Sequence, residues 1–190
     1  SPADITELDI PLNAFVVGFT GNIRPVKGVD VLLRSLTHLR ASLNVHLLLV
    51  GEVRDKKIEA MAANPTIAAR VHLAGYRKDA AHLAGACDAF VMPSVEREGL
   101  PRAVIEAMAQ RVPAIVSDVG GMPELVEDGV SGLVVPPRDH KALADAIASL
   151  AGNRKQRDAL GEAARERIET TFNIDTTIEK MEALFESVAV

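Results

Sequence analysis

Tryptophan is absent from this 190-residue chain, tyrosine and cysteine occur once each, and aromatic residues make up only 3%. A core without large rings must be packed by Ala, Val and Leu, as expected of helices layered on a parallel sheet. The lone Cys87 excludes an internal disulfide and fits a reducing compartment. There is no basic excess. The net charge of −5 argues against a general nucleic-acid binder, which needs a cationic face. No apolar run approaches the length that spans a bilayer, and the first residues do not resemble a signal peptide, so a soluble, cytoplasmic protein is expected. The five histidines show no ligand spacing and no Asp-x-Asp occurs, so neither zinc nor a metal-bound diphosphate is suggested. The three-glycine dinucleotide pattern and the glycine–lysine–hydroxyl order of a phosphate-binding NTPase loop are both missing.

What is present is a regular alternation. Short apolar runs at Phe15–Phe19, Val45–Val50, Val71–Leu73, Ala89–Met92, Ala114–Ser117 and Gly132–Val135 read as strands. Between them lie helical patterns: Val29–Leu39 with Leu32, Leu33 and Leu36 on one face, Asp55–Ala63, Asp79–Gly85, Ala103–Gln110, and a short helix begun by Pro123. Three further helices are expected over Lys141–Leu150, Gln156–Glu169 and Asp175–Val188. This order predicts one α/β domain over residues 1–190, a doubly wound parallel sheet of about six strands with helices at its C-terminal end. In that architecture ligands bind outside the carboxyl ends of the strands. The loops 20–28, 93–100 and 117–122, rich in glycine and charge, all follow strands and therefore share that edge.

The most informative stretch runs from Pro93 to Glu106, where a strand gives way to an Ala-rich helix with Pro101 expected at its first position. The free N–H groups of such a helix form a ready anion site. In the first loop, Arg24 and Lys27 stand beside a helix start, which suits a diphosphate; the plain alternative is a pair of solvated surface cations. Glu98 precedes the helix and Glu106 lies inside it, on a narrow polar strip with Arg102 and Gln110. Two readings of Glu106 stand side by side: an i, i+4 pair with Arg102, worth a few tenths of a kcal/mol, or a carboxylate that accepts both hydroxyls of a ribose. Gly120-Gly121 is either a second anion-facing turn or an ordinary tight turn. His46 and His72 fall within strands, and Cys87 and Asp88 precede one, so structural roles are expected for all four.

Taken together, these residues resemble the nucleotide-sugar-binding half of a family 4 glycosyltransferase, a retaining enzyme of the two-domain GT-B fold. The most specific part is Glu98-Gly99-Leu100-Pro101 followed by Glu106, the family's Glu-x7-Glu signature. Ala107-Met108-Ala109, Val119-Gly120-Gly121-x-Pro-Glu and Asp128-Gly129-x-x-Gly132-Leu133-Val134 match as well. The resemblance implies that Lys27 contacts the donor diphosphate and Glu106 the ribose. It implies that Glu98 is the catalytic carboxylate, holding the sugar and meeting positive charge at the anomeric carbon. The N–H groups of Gly99 and Leu100 would hold sugar or phosphate oxygens, and main chain near Tyr76 and Arg77 would read the base. Asn22 stands where the family usually has Arg, so the phosphate grip either rests on Arg24 or is weaker, and Pro101 replaces a common glycine.

The expected donor is a UDP- or GDP-sugar, with no cofactor and no metal. The acceptor would be held by an N-terminal domain absent from this chain, so the chain alone is expected to transfer little or nothing. A peripheral contact of the parent enzyme with the inner face of a membrane is compatible with this reading. Alternatives are one half of a sugar-nucleotide epimerase and a non-catalytic nucleotide-sugar-binding module.

Overall fold

Six apolar runs become six strands in the computed structural model, which describes residues 5–173. They are β1 (Phe15–Thr20), β2 (Val45–Val50), β3 (Val71–Gly75), β4 (Ala89–Met92), β5 (Ala114–Ser117) and β6 (Gly132–Val135). All pair in parallel, in the order β3-β2-β1-β4-β5-β6. Strands β1, β2, β4 and β5 are buried along their whole length, which is why they read as continuous rather than alternating apolar runs. β3 lies on an edge and leaves Leu73 exposed.

The connecting helices are α1 (Val29–Ser35), α2 (Lys56–Ala62), α3 (Ala80–Gly85), α4 (Arg102–Ala109), α5 (Met122–Leu125), α6 (His140–Gly152) and α7 (Arg154–Thr171). Helix α1 packs with α2 and α6, α4 packs with α3 and α7, and α6 also packs with α7. Sequence-encoded caps start three of them. Asp55, Asp139 and Asn153 each accept a hydrogen bond from an N–H of the first turn, Asp139 from both Lys141 and Ala142. Helix α1 stops sooner than its apolar pattern predicts. Ser35 Oγ bonds back to the Leu32 carbonyl at 2.7 Å and the chain tightens into a 3₁₀ turn over Leu36–His38, with Leu36 and Leu39 still buried. The helix expected over Asp175–Val188 lies outside the described residues.

The amino edge of the sheet carries structural polar groups. Asp88 accepts from the Val16 N–H at 2.9 Å and faces Arg157 at 3.6 Å, whose guanidinium lies over the Phe15 ring. His46 on β2 meets His72 on β3 through ring nitrogens 2.9 Å apart. Cys87 is buried, and that burial pushes its thiol up to about 12, as befits an unreactive core residue. Among the described residues no helix is long and apolar enough to cross a membrane.

Candidate functional site

The strand order reverses between β1 and β4, which are neighbours although two strands separate them in sequence. At such a switch point the two outgoing loops diverge and open a crevice. Here the loops are first drawn together. Gly28 sits in the left-handed region (φ 66°), and a Cβ on it would overlap the carbonyl oxygen of Pro93. Beside it the Val95 N–H donates to the Val26 carbonyl at 3.0 Å. This close approach carries Lys27, from the β1 loop, onto Glu98, from the β4 loop: Nζ lies 2.7 Å from Oε2. The Ser94 hydroxyl donates to the same oxygen at 3.0 Å. The main chain of Glu98 is held as well, its carbonyl accepting from the Gly121 N–H at 2.9 Å. Lys27 and Glu98 keep about a quarter and a fifth of their side-chain surface exposed, so a ligand can reach both.

Helix α4 begins directly beside this pair. Pro101 is the residue before the helix rather than its first member; its carbonyl accepts from Val104 and Ile105. No hydrogen-bond acceptor among the described residues serves the N–H groups of Gly99, Leu100, Arg102 and Ala103. Gly99 has open space over its Cα. Four N–H groups at the positive end of a helix dipole are therefore free, close in sequence to Glu98.

A cleft of about 370 Å³ lies toward β2 and β3. Its walls come from Gly21 and Asn22 after β1, Gly51 and Glu52 after β2, Tyr76 and Arg77 after β3, and Arg102 and Glu106 on α4. Arg102 Nε bonds Glu106 Oε1 at 2.6 Å, so the i, i+4 pair is present; it sits at the rim, with Arg102 90% and Glu106 28% exposed. Arg77 is held by Asp79 through two 2.8 Å bonds, and this fork draws the Asp79 carboxyl down to about 2. Tyr76 is 71% exposed.

Of the residues singled out from sequence, Lys27, Glu98, Gly99 and Leu100 share the switch point, while Asn22, Tyr76, Arg77 and Glu106 share the cleft. The two parts draw on the same two segments, the loop after β1 and the residues running from Glu98 into α4. Arg24 is exposed and has no ion-pair partner among the described residues, and it does not join the Lys27–Glu98 pair. Gly120 and Gly121 back onto the main chain of Glu98 and Gly99, with the Gly121 N–H already engaged. Ser94 escapes a sequence reading, because a serine leaving a strand looks like any turn residue. Gly51 and Glu52 could have been found, since they follow β2 and so share the carboxyl edge. Among the described residues no three His, Cys, Asp or Glu side chains gather as metal ligands.

A family model described as "Glycosyl transferases group 1" matches residues 1–167. The chain is 29% identical over 178 residues to the capsular polysaccharide biosynthesis glycosyltransferase CapM of Staphylococcus aureus, covering 90% of this chain and 46% of that protein. It is 32% identical over 174 residues to a D-inositol 3-phosphate glycosyltransferase of Saccharomonospora viridis, covering 84% and 40%. The solved structure of Anabaena HepE in complex with UDP superposes with a TM-score of 0.89 at 26% identity, over 97% of this chain and 51% of that one. The same protein with UDP-glucose gives a TM-score of 0.87. The chain thus spans about half the length of these relatives or less.

Proposed function

The chain belongs to the glycosyl transferases group 1 family, and from that premise we propose that it is the donor-binding half of a family 4, retaining hexosyltransferase. The cleft would hold the nucleoside, with Glu106 accepting the ribose hydroxyls and main chain near Tyr76 and Arg77 meeting the base. The diphosphate would lie at the switch point, against Lys27 and the free N–H groups ahead of α4. The sugar would extend over Glu98, Gly99 and Leu100. The observation that carries this reading is the 2.7 Å meeting of Lys27 and Glu98 beside those N–H groups. One side chain of that pair meets the negative charge that builds on the departing diphosphate, and the other meets the positive charge at the anomeric carbon. The complexes of HepE with UDP and UDP-glucose favour a UDP-sugar as the donor.

No metal enters this scheme, because lysine and helix N–H groups supply the positive charge. The acceptor would be bound by an N-terminal domain, and without it the chain would bind donor weakly and transfer little or nothing. Titration calorimetry of the chain with UDP-glucose and with GDP-mannose tests the reading. Micromolar-to-millimolar binding of one donor is expected, with a loss of about tenfold or more in Lys27→Ala. Absence of binding by both, or unchanged affinity in that variant, would overturn it. Nanomolar binding would instead favour a non-catalytic sensor.

A further inference from the structure

Glu98 meets its two donors unevenly. Lys27 Nζ at 2.7 Å and Ser94 Oγ at 3.0 Å both address Oε2, while Oε1 has no hydrogen-bond partner among the described residues. A carboxylate oxygen offers about two lone-pair positions, so two donors occupy Oε2 and leave both positions on Oε1 open. Ser94 is fully buried at the exit of β4, and Glu98 is pinned through its own carbonyl by Gly121. The lysine is a flexible, partly exposed arm that a bound diphosphate would draw upon. The serine is the short, rigid member of the pair.

We propose that Ser94 is a positioning residue: its hydroxyl fixes which oxygen of Glu98 faces the sugar, presenting Oε1 as the acceptor for the donor's sugar hydroxyls. This rests on the donor-binding reading given above. When a diphosphate engages Lys27, the Ser94 hydroxyl alone keeps the carboxylate from turning. The seryl hydroxyl touches neither sugar nor phosphate in this arrangement. Its loss therefore acts only through Glu98, and only on ligands that carry a sugar.

The test compares a nucleotide sugar with its bare nucleoside diphosphate. UDP-glucose and UDP, or GDP-mannose and GDP if only the guanosine donor binds, are titrated calorimetrically into the wild type, Ser94→Ala, Glu98→Gln and the double variant. Ser94→Ala is expected to weaken the sugar nucleotide about tenfold and the bare diphosphate less than twofold. The double variant is expected to be no weaker than Glu98→Gln, as for residues acting through one group. If Ser94→Ala weakens both ligands equally, or adds its full effect on top of Glu98→Gln, the positioning role is overturned. If it leaves the ratio unchanged while Glu98→Gln alters it, the role is likewise overturned and donor binding stands. If the wild type binds neither nucleotide sugar, the donor reading itself falls and takes this inference with it. Should circular dichroism show Ser94→Ala to be unfolded, Ser94→Cys, which fills the site with a poor donor, is subject to the same outcomes.

Discussion

Gly120 and Glu98 are in main-chain contact: any side chain on the glycine, which sits at φ 57°, would overlap the Glu98 carbonyl oxygen. The adjacent Gly121 N–H donates to that same oxygen at 2.9 Å. The loop after β5 thus buttresses the carboxylate's backbone from behind. Gly120→Ala should destabilise the fold by roughly 2–4 kcal/mol, from a left-handed non-glycine residue and an overpacked contact. Urea unfolding measures this. Donor affinity should fall with it, because relief of the overlap moves Glu98.

Glu106 and Arg102 allow the cleft to be separated from helix stability. Arg102 is almost wholly exposed, so Arg102→Ala should change stability by no more than about 0.5 kcal/mol and UDP affinity by less than twofold. Glu106→Ala should leave the fold intact and weaken UDP about tenfold, as expected for loss of a charged hydrogen-bonding group. Calorimetry on both variants checks the pair. Equal effects would mean that the carboxylate serves the helix alone.

Asp88 offers a control at the opposite edge of the sheet. Its carboxylate accepts the Val16 N–H and faces Arg157. Asp88→Ala leaves that strand N–H without an acceptor, and stability should drop by about 1–3 kcal/mol. Nucleotide affinity, measured well below the melting temperature, should not change.

The His46–His72 pair predicts a pH dependence of stability. Burial holds the His46 imidazole below its ordinary range, with the charges of His72 and Arg70 adding to this. Burial also lowers His72, although its bond to the Leu8 carbonyl and the nearby Asp9 partly oppose the shift. Depressed pKa values in the folded state mean that the unfolded chain takes up protons first as pH falls. Stability contributed by the neutral pair is therefore complete above about pH 6.5 and declines as pH drops below it. Urea midpoints at pH 7.5 and 5.5 should differ more in the wild type than in His72→Asn. An equal difference in both would assign the slope elsewhere.

Much of the architecture is legible in the residues taken locally. Phe15–Phe19 and Leu47–Val50 are continuous apolar stretches because both faces of their strands are covered, and the six strands follow from such runs. The helices expected over Lys141–Leu150 and Gln156–Glu169 form as α6 and α7, with Asp139 and Asn153, not singled out from sequence, capping their starts. The i, i+4 spacing of Arg102 and Glu106 is likewise enough to expect their pairing. Alternation of strand and helix then implies parallel order, and parallel order places every loop that follows a strand on one edge. The end of α1 was not legible, since the apolar spacing of Leu36 and Leu39 continues where the hydrogen-bonding pattern changes.

By itself, then, the amino-acid sequence determined which segments are strands and helices, and that the glycine- and charge-rich loops share one rim. These are consequences of hydrophobic period and capping, which act over a few residues. Only the tertiary structure decided that Lys27 would reach Glu98 across 71 positions, that Ser94 would stand behind the same oxygen, and that Gly120 would lie under its backbone. Those meetings depend on β4 pairing beside β1 and on loops close enough for main chain to touch main chain. Strand order and close packing are properties of the assembled sheet, and no local pattern encodes them.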